Sequence, residues 1–174
     1  HAYDGPLMQF RVDGGRVADH TKVPARLRPL PAWTHHARRR AGHRPDHTWN
    51  ITVGGIFKTT WLINGKSFDP AYVETKVKRG ETVVWELHNK TSVAHLMHLH
   101  HTSWYLLARD GKPPPPWEDC LKDTFFVFPG ERILVSGHFS DYRGKFVIHC
   151  HMLDHEDHGL MTQFEVVRSS RMES

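Results

Sequence analysis

Cysteine is scarce in this sequence, with only Cys120 and Cys150 among 174 residues. Two cysteines are too few for a disulfide scaffold or for a structural zinc site built from four thiolates. The chain also lacks any run of 18 consecutive apolar residues, so we expect no membrane span. It does contain 39% hydrophobic and 11% aromatic residues, which is enough to bury the core of one domain with an additional segment.

The excess of positive charge, +4 at pH 7, is concentrated around Arg38-Arg39-Arg40. These arginines lie within residues 19–46, where hydrophobic periodicity is lost and proline is frequent. The sequence places no aromatic platform or recognition helix beside them, so we predict no nucleic-acid partner. We interpret the segment as a solvated linker in which His35-His36 is exposed.

Short strands separated by glycine-containing turns dominate the sequence from residue 47 onward. This pattern, without an amphipathic stretch of helical length, predicts an all-β domain over residues 47–168, built as an antiparallel β-sandwich. One short helix is expected after His151, and residues 169–174 form a tail. The predicted strands cover residues 7–12, 49–53, 59–63, 72–77, 82–89, 101–109, 124–128, 132–139, 145–150 and 161–167.

Two histidine-rich clusters carry the chemistry. The first, His149-Cys150-His151-Met152-Leu153-Asp154-His155, places a thiolate between two imidazoles and adds a third imidazole four residues later. The second is His95-Leu96-Met97-His98-Leu99-His100. A thiolate with imidazoles suits copper that exchanges electrons, and all-imidazole sites suit dioxygen. A disulfide with Cys120 is the alternative for Cys150, but it would remove the only thiolate from the clusters.

Alternation along the strand predicted at 145–150 separates these ligands. Cys150 points to one face, whereas His149 and His151 point to the other. The strand can therefore hold two different metal centres that are separated only by its backbone and side chains. Electrons that reach the first centre can then cross to the second.

The clusters, together with Trp61-Leu62-Ile63-Asn64-Gly65-Lys66, Lys122-Asp123-Thr124 and Phe128-Pro129-Gly130-Glu131, resemble the C-terminal cupredoxin domain of multicopper oxidases. Within that family the sequence is most similar to the three-domain bacterial laccases. The resemblance implies a cupredoxin-like Greek-key fold for residues 47–168. It also makes residues 1–18 the terminal strand of a preceding cupredoxin domain, joined through the linker at 19–46.

The resemblance implies a copper-binding role for each residue of the two motifs. The implied ligands of the type-1 copper, which receives electrons from the donor, are His95, Cys150 and His155. The implied ligands of the trinuclear cluster are His98 for the type-2 copper and His100, His149 and His151 for the type-3 pair. Leu96 stands where the family usually has proline, which concerns the rigidity of the loop more than ligation.

Two further positions follow from the same resemblance. The axial position of the type-1 copper, ten residues after the cysteine, falls on Leu160, with Met161 as the alternative. Glu156 matches the family position proposed to deliver protons to the trinuclear cluster, and we treat it as the candidate catalytic residue. The alternative for Glu156 is an outward acid that forms a salt bridge.

The number of histidine pairs limits what this chain does alone. A trinuclear cluster of this family uses eight imidazoles, and four of them come from two His-x-His motifs in another domain. This chain has only the two pairs already assigned, so we expect either that another chain or domain supplies four histidines or that the sequence is a fragment of a longer protein. The resemblance further implies dioxygen as acceptor, a phenol, aromatic amine or metal ion as donor, and an extracellular or periplasmic location. A stand-alone blue-copper electron carrier and a copper-sequestering or structural metal protein, with zinc as an option, are the alternative functions.

Overall fold

The computed structural model describes residues 8–25, 28–55 and 60–169, and every structural statement below concerns these ranges. They contain eleven strands and two α-helices, with a 3-10 helix at Pro116–Glu118. The helices are α1 (Ala32–Arg38) and α2 (Leu153–Asp157). The strands are β1 (His47–Gly54), β2 (Thr60–Ile63), β3 (Thr75–Lys78), β4 (Thr82–Asn89), β5 (His95–Leu99), β6 (Trp104–Arg109), β7 (Leu121–Lys122), β8 (Thr124–Val127), β9 (Arg132–His138), β10 (Gly144–Cys150) and β11 (Met161–Val167).

The strands form two sheets that enclose one core, as the β-sandwich prediction requires. The six-stranded sheet has the order β2-β1-β4-β9-β6-β7, and the five-stranded sheet has the order β3-β11-β10-β5-β8. Two pairs are parallel, β1 with β4 and β3 with β11, and the other pairs are antiparallel. Side-chain alternation is the same in both kinds of pair, so the sequence pattern did not reveal the parallel ones.

Most predicted strands are present with shifts of one to three residues at their ends. Strand β4 matches at both ends, and α2 is the helix expected after His151. Strand β5 was missed because its residues were interpreted only as a ligand motif, and β7 has only two residues. Residue 59 of the second predicted sandwich strand lies outside the described residues.

The linker interpretation of residues 19–46 is wrong for its second half, which contains α1. Thr34 and Ala37 of this helix are buried against the sandwich. The arginines are anchored as well, since Arg38 Nη2 lies 2.6 Å from Asp119 Oδ1 and Arg40 Nη2 lies 2.6 Å from Asp46 Oδ1. A helix of seven residues is too short to show clear amphipathic periodicity, which is why the sequence did not reveal it. His35 and His36 are exposed, as expected.

Residues 8–12 of the strand predicted at 7–12 are not in a strand, and residue 7 lies outside the described part of the chain. Met8, Phe10 and Val12 are 72%, 86% and 94% exposed. A strand requires a neighbour for its backbone groups and a core for its apolar side chains, and these residues contact neither. The assignment of residues 1–18 to a preceding domain stays a prediction, and residues 170–174 of the predicted tail are likewise outside the description.

Aromatic side chains fill the space between the sheets. Trp85 is fully buried, and its ring lies 5.1 Å from that of Trp49, 4.7 Å from Trp104 and 5.1 Å from Phe164. Cys150 belongs to the same continuous core. One expected metal ligand is therefore held in close-packed surroundings, where side chains occupy single positions. None of the described helices is both long and apolar enough to cross a membrane.

Candidate metal centres

Strand β10 carries ligands on both of its faces. Cys150 is completely buried between the sheets, whereas His149 pairs with His98 and Met161 on the outer face of the five-stranded sheet. This arrangement follows from the alternation of side chains along a strand and agrees with the sequence expectation. Two groups of potential ligands result, one inside the core and one outside it.

The inner cluster consists of His95, Cys150 and His155, and all three residues are buried. Their nearest potential ligand atoms lie within 4.8 Å of one another. The Nδ1 atoms of His95 and His155 are 3.1 Å apart, and Cys150 Sγ lies 3.4 Å from His155 Nδ1. A thiolate and two imidazoles that converge on one point form a site suited to copper.

The chain around α2 sets the position of His155. The backbone N–H of Leu160 donates to the carbonyl of His155, and the N–H of Cys150 donates to the carbonyl of Leu160. This loop brings Leu160 into the core beside the inner cluster, where it is fully buried. Met161 instead pairs with His149 on the outer face. Of the two candidates for the axial position, Leu160 lies on the face of Cys150 and Met161 does not.

Burial controls the protonation of the inner cluster. It lowers the pKa of His95 to about 4, and the neighbouring His155 adds to this effect. Burial also lowers the pKa of His155 and raises the pKa of the Cys150 thiol. At neutral pH the imidazoles therefore have lone pairs available, whereas the thiol must release a proton when it binds a metal ion.

Trp61 covers the inner cluster from strand β2. Its ring centroid lies 5.1 Å from that of His95 and 4.5 Å from that of His155. The sequence motif around Trp61 contributed to the family resemblance, but nothing in it indicated contact with the ligands. A partly buried indole at this place limits the access of water to the two imidazoles.

The outer cluster consists of His98, His100 and His149, whose nearest potential ligand atoms also lie within 4.8 Å of one another. His100 Nε2 lies 3.3 Å from His149 Nε2. The pKa of His100 is lowered, mainly by burial and also by the other two imidazoles. His151 lies beside the cluster, with its ring 5.6 Å from those of His98 and His149, and it is exposed. All four outer-face histidines expected from the sequence are thus neighbours.

Two carboxylates border the outer cluster. Glu156 Oε2 lies 3.5 Å from His149 Nδ1, and Asp123 Oδ1 lies 3.6 Å from His98 Nδ1. Glu156 follows His155 directly in sequence, yet its side chain lies against the outer cluster instead of the inner one. This contact fits both a proton-delivering acid and an acid that forms a salt bridge, so the catalytic role of Glu156 stays a prediction.

The disulfide alternative is excluded by the structure, since Cys120 and Cys150 are both free, the first exposed and the second buried. Strand β10 thus contributes the free thiol of Cys150 to the inner cluster and the imidazole of His149 to the outer cluster. The model of the multicopper oxidase family matches residues 35–170. The chain belongs to the multicopper oxidase family. This membership confirms the family inferred from the motifs, and it supports copper as the cofactor.

Several curated multicopper oxidases resemble the chain in sequence. It is 40% identical to a laccase of Haloferax volcanii over 110 residues, which are 62% of this chain and 19% of that protein. It is 28% identical to a laccase of Bacillus subtilis over 186 residues, covering 94% of this chain and 35% of that one. A bilirubin oxidase of Albifimbria verrucaria is 31% identical over 171 residues, covering 91% and 27%. The chain thus spans about a fifth to a third of the length of these relatives.

Solved structures agree with the cupredoxin-like fold. A multicopper oxidase from Pediococcus acidilactici matches with a TM-score of 0.72 and 27% identity, over 87% of this chain and 31% of the other. A multicopper oxidase from Campylobacter jejuni, described as a metallo-oxidase, matches with a TM-score of 0.65 and 25% identity, over 85% and 34%. The predicted cupredoxin-like β-sandwich is confirmed.

Proposed function

We propose that this chain is the copper-binding C-terminal part of a laccase-like multicopper oxidase. In this proposal the inner cluster holds the type-1 copper, and the outer cluster with His151 provides half of the ligands of the trinuclear cluster. The observation that carries the proposal is the placement of the two clusters on opposite faces of β10. Cys150 of the inner cluster is joined by peptide bonds to His149 and His151, whose side chains lie on the other face. The backbone therefore connects the two centres over a short distance.

The residues of the chain have distinct tasks in this proposal. When bound, copper supplies one-electron exchange with the donor at the inner cluster and reduction of dioxygen to water at the completed outer cluster. The core packing around Cys150 and the ring of Trp61 exclude water from the inner cluster. Leu160 contributes no ligand atom there, which favours a high potential. Glu156 can hold a proton beside His149, where the reduction of dioxygen consumes protons.

The outer cluster requires a partner in this proposal, namely another chain or domain that supplies four histidines. The surface around it supports such a contact. Phe126 on the outer face of β8 and Met152 after β10 are each 42% exposed, and Phe126 pairs across the sheet with Leu96. Cover by another protein surface would bury these two apolar side chains together with the partly exposed ligands.

The proposed reaction is oxidation of a small phenol, aromatic amine or metal ion with dioxygen as the acceptor. The named relatives, laccases and a bilirubin oxidase, support an organic aromatic donor. The stand-alone blue-copper carrier is not favoured, because it needs only the inner cluster and leaves four neighbouring outer histidines without a role. A structural zinc protein is disfavoured for the same reason. An extracellular or periplasmic location remains part of the proposal and rests on the resemblance.

The proposal is tested by copper content, visible absorption and EPR spectra of the copper-loaded chain. We expect an intense thiolate-to-copper band and about one type-1 copper per chain. Cys150→Ser should abolish this band, whereas His149→Ala, next to it on the outer face, should retain it. A colourless copper complex, or a blue band that survives in Cys150→Ser, would contradict the assignment. Oxygen uptake is then measured after addition of the domain that carries the missing histidines, and only the oxidase predicts it.

A further inference from the structure

The two clusters lie on opposite faces of the five-stranded sheet, and in each cluster one histidine contacts a threonine hydroxyl. Thr91 Oγ1 lies 2.9 Å from His95 Nε2, and Thr124 Oγ1 lies 2.9 Å from His98 Nδ1. We propose that Thr91 and Thr124 are positioning residues that fix the tautomers of these histidines, so that His95 presents Nδ1 to copper and His98 presents Nε2. The inference rests on the proposed function and deepens it, because it concerns the ligand atoms of the same two clusters.

The orientation of the Asn89 amide determines which hydrogen bonds are open to Thr91. Asn89 is fully buried, and its Nδ2 donates to the carbonyls of Val93 and Val127 at 2.8 and 3.1 Å. Because carbonyls only accept hydrogen bonds, the amide nitrogen must face them. The amide oxygen therefore faces Thr91, where it accepts from the backbone N–H at 3.0 Å.

The Thr91 hydroxyl then has two oxygen acceptors near it, to either of which it can donate its hydrogen. Asn89 Oδ1 lies 2.7 Å from Thr91 Oγ1, and the carbonyl of Val93 lies 3.0 Å away. With its hydrogen directed to either of them, the hydroxyl oxygen can only accept from His95, which must carry its hydrogen on Nε2. The Nδ1 lone pair of His95 then points to His155 Nδ1, 3.1 Å away, in the inner cluster.

Thr124 places the hydrogen of a histidine in the outer cluster on the other ring nitrogen, Nδ1. Its hydroxyl donates to Asp123 Oδ1 at 2.9 Å, because a carboxylate accepts. His98 must then donate from Nδ1, and the carboxylate 3.6 Å from that nitrogen favours a hydrogen there. This leaves the Nε2 lone pair of His98 free. His149 follows the same rule without a hydroxyl, since its Nδ1 lies 3.2 Å from the carbonyl of Cys150 and its Nε2 faces His100.

Ligand histidines often donate their second ring N–H to a protein acceptor that sets the tautomer and the ring orientation, and loss of that acceptor typically costs 10- to 100-fold in metal affinity. The two threonines match this role, but Thr91 contacts Nε2 of its histidine and Thr124 contacts Nδ1 of its histidine. The nitrogen left for a metal ion is therefore Nδ1 in His95 and Nε2 in His98. Nothing in the sequence marked Thr91, because a threonine four residues before a histidine is an ordinary pattern. Thr124 belongs to the Lys122-Asp123-Thr124 motif of the family resemblance, but the motif did not indicate its contact with His98, which lies 26 residues earlier in the chain.

The experiment is nitrogen-15 NMR of the imidazoles in the metal-free chain at neutral pH, which distinguishes the protonated from the unprotonated ring nitrogen. We expect hydrogen on Nε2 of His95 and on Nδ1 of His98. Thr91→Val should disturb the tautomer of His95 only, and Thr124→Val should disturb the tautomer of His98 only. In each variant the unaffected histidine then shows that the chain is still folded. Thr91→Ser keeps the hydroxyl and should keep the tautomer. A His95 that carries hydrogen on Nδ1, or that is unchanged in Thr91→Val, would overturn the inference.

Copper binding provides the second readout. Thr91→Val should weaken the binding that produces the type-1 absorption band about 10- to 100-fold, and Thr91→Ser should restore most of it. Equal affinities of the wild-type and Thr91→Val chains would count against the inference. Failure of the proposed function looks different, because the tautomers would then be as expected in the metal-free chain while copper produced no such band.

Discussion

Cys150 and His149 are adjacent in sequence, yet their side chains reach different clusters on opposite faces of β10. Cys150 Sγ lies 3.4 Å from His155 Nδ1 inside the core, and His149 Nε2 lies 3.3 Å from His100 Nε2 on the outer face. One peptide bond therefore joins the two candidate copper centres. We expect each centre to be separately testable by substitution, because the side chains of Cys150 and His149 lie on opposite faces of the strand.

The axial position of the inner cluster is tested by Leu160→Met. Leu160 is buried beside Cys150, so a thioether introduced there can approach copper in the proposed type-1 site, and we expect the potential of that copper to fall. The swap nearly conserves volume and should cost less than about 1.5 kcal/mol of stability. Redox titration of the blue band measures the potential. Met161→Leu, on the outer face, is the matched control, and a larger shift in that variant would assign the axial position to Met161 instead.

The loop that follows β6 depends on Arg109. Its guanidinium donates to Glu118 at 2.6 and 2.9 Å, to Glu131 at 2.8 Å and to the carbonyl of Phe126 at 3.1 Å. Arg109→Met leaves two largely buried carboxylates without this partner, and we expect a loss of about 2 kcal/mol in the free energy of unfolding.

Urea unfolding of the metal-free chain measures this loss. The control is Arg132→Met, which removes a more exposed ion pair with Glu86 and should cost less than about 1 kcal/mol. Equal losses in the two variants would mean that the Arg109 network contributes no more than a surface pair.

The same network makes stability depend on pH. Hydrogen bonds from Arg109, opposed by burial and aided by Lys122, lower the pKa of Glu118 from 4.5 to about 2. Because the pKa is lower in the folded state, this contribution is complete above about pH 4.5 and is lost as the pH falls towards 2. Unfolding of the wild-type chain between pH 5 and 2.5 should show a decline in stability that is shallower in Glu118→Gln. Identical slopes would refute the role of Glu118.

Gly137 tests the packing of the aromatic core. A Cβ at this position would lie 2.8 Å from two atoms of the Trp104 ring, which is fully buried. We expect Gly137→Ala to destabilise the chain by about 1–3 kcal/mol. Thermal or urea unfolding measures the change. At Gly42 an added Cβ meets nothing within 4 Å, so Gly42→Ala should stay within about 0.5 kcal/mol of wild type.

Some of these features were predictable because they are local. The alternation of side chains in β10 is a property of extended backbone, so the separation of Cys150 from His149 followed from their order in the sequence. The spacing of glycine-containing turns likewise predicted the sandwich and most of its strands. The motifs around His95 and Cys150 carried the family resemblance, because metal ligands require particular side chains at particular intervals.

The sequence by itself therefore determined the type of fold, the two candidate clusters and the face on which each lies. Tertiary structure alone decided the contacts between distant segments, such as Arg38 of α1 with Asp119, the parallel pairing of β1 with β4, and Trp61 above the inner cluster. It also decided that Glu156 lies against His149 and that Thr91 meets His95. The physical reason is that such contacts depend on how turns, helices and sheets pack in space, which local motifs and periodicity along the chain do not reveal.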